Sequence, residues 1–510
     1  MERLRRNELG MDRISSLPDS VLVHILSFLP THEAVKTTFI SKKWKFLWTQ
    51  IPVLDLDEFT FCDERSMVEL YNALETGRYF LSSMRLDRQR KRFADFVDRA
   101  LLHHDIESIR QIQLSFCYHE DYEFTSRVDQ WIRFAIASNA TALELNFASR
   151  SPSRDPRIEG CYELPHCPLP QSLKFLRLNF CEFRPLRHGS FDHLEIVELL
   201  QAKLPDGSVQ DLISNCPCLE SLHLLSCCVP HHLVISAPES ELKCLLLDSC
   251  SSYEMNGIVY KYEIDAPKLQ HFKFVGMMLH EFSVKRLRHL VEAHLDVRQN
   301  FISQMHCSML TELLKDLGHA SCLSLSSWCL QVLSFKDEIH VNHEIALSSL
   351  HRLNNLTVQT RLDSFDLLGL ACLLRSSPNL EFLTIDIDNH KDLNLEYLDH
   401  PMLPNARHFD EMSFWENQSS PFQCLAKLEK VTINDFSGQD NEMGLVKFLL
   451  KNCLVLKEMS IRYVIFQPVS TISGRGIDRE HLEFLQAQLD ITQELLTFPR
   501  VSTCAQVFCS

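Results

Sequence analysis

The chain has 510 residues, too many for one compact core at roughly 150 residues per domain, so it holds about three domains or an elongated repeat array. Apolar residues at 45% and charged residues at 23% match ordinary globular usage and exclude collagen-like, low-complexity and wholly disordered classes. Lys and Arg number 51 against 67 Asp and Glu, a net charge of −16 that repels phosphate backbones and argues against a nucleic-acid partner.

At the N-terminus, Arg3, Arg5 and Arg6 are not followed by an apolar run of signal-peptide length. The most apolar later stretch, Phe365 to Leu374, is about half of the ~20 residues a spanning helix needs. The expectation is a cytoplasmic and/or nuclear protein with no membrane contact. The 19 cysteines then read as free thiols of a reducing compartment. Residues 1–10 read as a tail.

Residues 11–58 read as a unit of three short helices. Ser16 followed by Asp19 is a helix-start signal, and Pro18 suits a first turn. Val21, Leu22, Ile25, Leu26 and Leu29 recur at helical spacing, and Pro30 ends the run. Thr31 can cap a second helix reaching about Thr38, and Ser41 a third that holds Trp44, Leu47 and Trp48. So small a unit buries little surface alone. It wants a partner, or serves as the cap of a following array.

Residues 59–95 carry Arg85, Arg88, Arg90, Lys91 and Arg92. The cluster reads as a solvated linker, with a nuclear-import signal or an anion patch as the alternative.

From about residue 96 a pattern of apolar-x-x-apolar-x-apolar-x-x-Cys recurs. Ile109, Ile112, Leu114 and Cys117 fit it, as do Leu173, Leu176, Leu178 and Cys181. Leu219, Leu222, Leu224 and Cys227 follow, then Leu242, Leu245, Leu247 and Cys250. This is the leucine-rich-repeat spacing. The second and third apolar residues lie two apart, on one face of a short strand. The first fills the same core at the strand's start, and the Cys turns inward after it. Weaker copies centre on Val197, Phe272, Ala293, Leu356, Leu383, Val431 and Met459, with doubtful ones at Leu143, Leu323 and Met412. From Leu178 the next third positions come at steps of 21, 25 and 23 residues, to Leu199, Leu224 and Leu247. Strands are expected to line a concave face, with His223, Lys273 and Thr384 turned to solvent, and helices to cover the convex side.

Enzyme signals are sparse. Cys216, Cys218, Cys227, Cys228, His231 and His232 crowd together, but Cys216-x-Cys218 is too tight for the usual zinc-finger spacing, and Cys227 is already placed as an inward repeat residue. His-Glu pairs begin at His32, His119, His280 and His343, and none is completed by a second His four residues on. No catalytic, metal or cofactor residue is expected.

The motifs converge on a resemblance. Asp12 to Asp19, His24 to Pro30, Ser41-Lys42-Lys43-Trp44 and Leu47-Trp48 resemble the F-box of plant F-box proteins. The remainder resembles the plant class with leucine-rich repeats and a C-terminal FBD region. The segment Ile264 to Leu269 is similar to that class's recurrent repeat start, and Leu425 to Tyr463 to its FBD. The resemblance implies an α/β chain: a three-helix F-box at 11–58, a linker at 59–95, an irregular leucine-rich-repeat solenoid at 96–420, and an FBD region at 421–510 continuing the array. It further implies a non-catalytic receptor of a Skp–cullin–F-box ubiquitin ligase. Leu17, Pro18, Leu22, Ile25, Leu26, Leu29, Pro30, Val35, Ile40, Ser41 and Trp44 match the positions expected to bind a Skp-type adaptor, and through it a cullin. The repeats would hold an unknown target protein. A repeat scaffold that recruits no ligase is the alternative.

Overall fold

The computed structural model describes residues 14–62, 79–116, 118, 122–147, 161–164, 170–185, 191–252, 260–278, 280–299, 302–338, 350–388, 414–416, 422–465 and 475–510. For 79–87, 122–123, 252, 280, 335–338 and 475–482 only the backbone is described. The chain divides into two compact units, 1–242 with 250–258 and 243–249 with 259–510.

The first unit opens with α1 (Asp19–Leu26), α2 (Thr31–Lys36) and two 3-10 stretches, Thr37–Phe39 and Lys42–Gln50. The chain then enters β1 (Val53–Asp57) and a short α3 (Glu58–Phe61). Later strands are β2 (Gln111–Ser115), β3 (Ala142–Asn146), β4 (Phe175–Asn179), β5 (Ile196–Leu200) and β6 (Ser221–Leu225). All pair in parallel in chain order, in register, so Leu54, Ile112, Leu143, Leu176, Val197 and Leu222 form one buried row. Leu56, Leu114, Leu145, Leu178, Leu199 and Leu224 form the next. Alternation puts the residues between these rows on the open face.

The turn after each strand explains the cysteines. Phe180, Gln201 and Ser226 adopt positive φ of 59°, 45° and 51° just past β4, β5 and β6. A left-handed residue reverses the chain and drives the next side chain inward. Cys227 Sγ thereby meets the Leu199 carbonyl at 3.1 Å, and Cys250 Sγ the Leu224 carbonyl at 3.4 Å. Burial pushes the Cys227 thiol well up, so it acts as a donor inside the turn.

The second unit continues the design with β7 (Cys244–Asp248), β8 (His271–Gly276), β9 (Glu292–Val297), β10 (Cys322–Leu325) and β11 (Asn355–Thr360). β12 (Phe382–Ile387), β13 (Lys430–Phe436), β14 (Glu458–Tyr463) and β15 (Gln506–Cys509) follow, again parallel and in chain order. The α/β class and the run of parallel repeat strands expected from the sequence are borne out. The strands expected around Leu143 and Leu323 are present; Met412 lies outside the described residues. Lys273 is exposed, and His223 and Thr384 half-buried, each between buried neighbours on its strand.

Three expectations are corrected. The basic stretch is not a linker but part of α4 (Tyr79–His103), because Phe93, Ala94, Val97 and Ala100 supply a buried stripe at helical spacing. Within it Arg90 is buried against the fully buried Glu58 carboxylate, Nε to Oε1 3.8 Å. Ser16 does not cap α1; Pro18 holds the N-cap position, with ψ 148°. Thr31 does not cap α2 but is its first residue, and its Oγ1 accepts from the Asp55 backbone N–H at 2.9 Å. Ser41 does hold the N-cap position of its stretch, as expected, but the stretch is 3-10 and its side chain makes no cap bond.

Further helices are α5 (Tyr122–Ala137), α6 (Ser208–Asn215) and α7 (Gln304–Asp316), and α8 (Ser327–Glu338) and α9 (Ser364–Ser376) pack together around a buried carboxylate. Asp366 accepts from Ser327 Oγ at 2.8 Å, Thr360 Oγ1 at 2.9 Å and the Arg361 backbone N–H at 2.7 Å. Burial, with the Asp363 carboxylate beside it, raises its pKa to about 7 against the opposing pull of these donors. The folded state therefore holds its proton more tightly than the unfolded chain does. This group's stabilising contribution is full below about pH 4 and is lost as pH rises toward about 7. Asp366→Asn should flatten that slope, by at most about 1.4 kcal/mol per pH unit. Urea midpoints of both proteins between pH 5 and 8 check this, and parallel curves would refute it.

Candidate adaptor-binding surface

The helical unit is held from within by a few specific contacts. Trp44 Nε1 donates to Ser15 Oγ at 2.8 Å. Lys43 Nζ donates to the carbonyls of Ser15 at 2.9 Å and Leu17 at 2.5 Å, and lies 3.4 Å from Asp19 Oδ1. The Lys43-Trp44 pair thus fastens the Leu17-Pro18 lead-in across α1. Leu22, Leu26, Trp44, Leu47 and Trp48 are buried together with Ile51. His32 is also buried, and desolvation together with nearby Lys36 lowers its pKa despite Glu33. It is neutral at physiological pH.

The outer side is different. Val21 is 41% exposed, Ile25 40%, Phe28 75% and Leu29 38%; Phe39 is 89%, Ile40 60% and Phe46 63%. A small unit that leaves so many large apolar side chains in water presents a contact face. Such a face suits apolar docking.

The eleven expected adaptor residues fall into two sets. Pro18, Ile25, Leu29 and Ile40 are exposed, and Leu17, Pro30, Val35 and Ser41 are half-buried. Leu22, Leu26 and Trp44 are correctly placed only as core: each is buried, so they support the surface from beneath and do not line it. The reason is geometric. α1 is apolar on two adjoining stripes, and Leu22 and Leu26 form the inner one. The sequence reading missed Phe28, Phe39 and Phe46. Phe28 was within reach, since Val21, Ile25 and Phe28 follow helical spacing. Phe39 and Phe46 sit in 3-10 stretches, where that period does not hold.

Among the described residues no group of three or more His, Cys, Asp or Glu side chains is placed to hold a metal ion. Of the crowded cysteines, Cys216, Cys227 and Cys228 are buried, and burial pushes the Cys216 thiol up to about 12. Among the same residues no helix is long and apolar enough to cross a membrane.

Comparison with known proteins agrees with this geometry. Residues 14–55 match the F-box domain family, and residues 100–465 match the family described as At1g61320/AtMIF1, LRR domain. Three similar proteins are all from Arabidopsis thaliana. The F-box/LRR-repeat protein At4g14096 is 28% identical, over 74% of this chain and 74% of its own. The F-box/FBD/LRR-repeat protein At5g22660 is 26% identical, over 98% of this chain and 96% of its own. The F-box/LRR-repeat protein At4g14103 is 26% identical, over 74% and 93%. With an F-box domain ahead of a repeat domain that spans more than half its length, the chain belongs to the plant F-box/leucine-rich-repeat proteins.

Proposed function

We propose that the chain is a substrate-recognition subunit of a Skp–cullin–F-box ubiquitin ligase. The F-box docks on a Skp-type adaptor, the adaptor connects to a cullin, and the repeats hold a target protein for ubiquitin transfer. The observation that carries the reading is the exposed apolar face from Val21 to Phe46, on a unit whose own core is complete without it. On this reading the chain performs no bond chemistry. It lowers the entropic cost of bringing target and ubiquitin-loaded enzyme together. Adaptor contact is assigned to Leu17, Pro18, Ile25, Leu29, Pro30, Val35, Ile40 and Ser41. The domain division follows: F-box at 11–58, repeats at 96–420, and an FBD region at 421–510, which the name of one relative and the likeness of Leu425 to Tyr463 support. Its place of work is the cytoplasm and/or nucleus.

Copurification with a Skp-type adaptor tests this. The wild-type chain is expected to bind stoichiometrically, and the folded Leu17→Ala/Pro18→Ala double variant to lose the adaptor. A folded wild-type chain that retains none would sink the reading. Adaptor binding without cullin co-assembly would instead leave a repeat scaffold that recruits no ligase.

A further inference from the structure

Where the F-box meets α4 the first unit holds a cavity of about 470 Å³, lined by Val35 and Trp48 of the F-box, by Phe61, and by Arg92, Phe96 and Arg99 of α4, among others. Phe61 and Phe96 stack at 5.0 Å with 29° between rings, giving it an aromatic wall. The volume suits one large apolar side chain with room to spare.

The α4 side of this cavity is cationic. Arg88, Arg92, Arg99 and His103 are spaced by 4, 7 and 4 residues, which puts all four on one helical face. All are exposed. Arg92 donates to Gln89 Oε1 at 3.1 Å, while Arg88, Arg99 and His103 have no hydrogen bond or ion pair among the described residues. The acid on the same face, Asp95, shares Arg127 with Asp98, at 2.9 and 2.5 Å, so the arginines outnumber the acids that face them. A chain of net charge −16 thus exposes three arginines with no carboxylate partner among the described residues, along about 17 Å of helix and beside an aromatic cavity.

We propose that this groove docks a short acidic polypeptide segment of a partner protein, seating one large apolar or aromatic side chain in the cavity and its carboxylates along Arg88, Arg92 and Arg99. Length decides against a small molecule: no ligand that fits the cavity reaches both Arg88 and His103. Charge decides against nucleic acid. Three arginines neutralise few phosphates, and the remainder of an acidic chain repels a polyanion. A segment with a few carboxylates on both sides of an apolar residue matches both the number of cations and the hole between them.

The test uses the full-length chain and a fluorescein-labelled hexapeptide with four glutamates around a central leucine–phenylalanine pair. The expected result is saturable anisotropy that weakens about tenfold on Arg92→Glu/Arg99→Glu and falls steeply with salt. A matched peptide with lysines in place of the glutamates should not bind. Both substituted side chains are exposed, so an unchanged melting curve certifies the fold of the variant. No saturation by the folded wild type, equal binding of both peptides, or indifference to the double substitution would overturn the proposal. So would tighter binding of a single-stranded RNA oligonucleotide that the same substitutions abolish.

Discussion

Gly369→Ala is expected to destabilise the second unit by about 3 kcal/mol, although alanine is the better helix former. Gly369 lies inside α9, where replacing glycine with alanine ordinarily gains about 1 kcal/mol of helix propensity. Here a Cβ would sit 2.0 Å from the Leu330 carbonyl oxygen, 2.5 Å from its carbonyl carbon and 2.7 Å from its Cα. These are backbone atoms of α8, so no rotamer change relieves the overlap. The helices must move apart. Leu330, Leu333, Leu367, Leu370, Leu373 and Leu374 are all buried, so moving the pair apart disturbs packing on both helices. Overpacking therefore outweighs propensity. Gly207→Ala is the control: its φ of 77° strains any L-residue, but nothing lies within 4 Å of the added Cβ, so the cost is about 1 kcal/mol. Urea midpoints of the two variants and the wild type decide it. A Gly369→Ala midpoint at or above that of Gly207→Ala would show that α8 and α9 do not approach this closely.

The repeat strands were legible because their code is redundant. Leu176 and Leu178 share a face by simple alternation, Leu173 precedes them at a fixed step, and Cys181 closes the turn. A strand with all four marks is hard to mistake. Where marks drop out the reading fails. β1 carries Ile51, Leu54 and Leu56 at the right spacing but has Phe59 in the Cys position, so it passed as part of the helical unit. β15 places only Val507 and Cys509 toward the core, both half-buried, and its first slot is the exposed Cys504. Nothing in its four residues announces a strand; pairing with β14 selects it. α4 was hidden by composition. Its arginines dominate the local sequence and suggest solvated coil, while the small stripe of Phe93, Ala94, Val97 and Ala100 does the packing. The F-box face was legible as a list of residues but not as a surface. Periodicity shows which side chains share a helix face and leaves open whether that face looks inward or outward.

Separating those two faces is the decisive experiment on the F-box. Ile40→Asp is expected to weaken adaptor binding by about 2 kcal/mol, some 30-fold, while leaving the melting curve of the free chain unchanged. Ile40 is 60% exposed, so the aspartate is solvated in the free protein and its cost falls only where a partner removes water from it. Leu26→Asp should do the reverse. Leu26 is fully buried, as are Leu22, Trp44 and Trp48, so a carboxylate there is cut off from water. Its cost is about 4 kcal/mol, more than so small a unit can absorb, so the helical unit unfolds before binding is asked of it. Tryptophan fluorescence separates the outcomes, because Trp44 and Trp48 both report on that core. Adaptor affinity, measured on variants with native fluorescence, then reports on the outer face alone. If Ile40→Asp binds as the wild type does, the exposed apolar residues are not the docking surface. If Leu26→Asp keeps native fluorescence and loses the adaptor, the inner stripe contacts the adaptor after all, and the division into a buried core and an outward face fails.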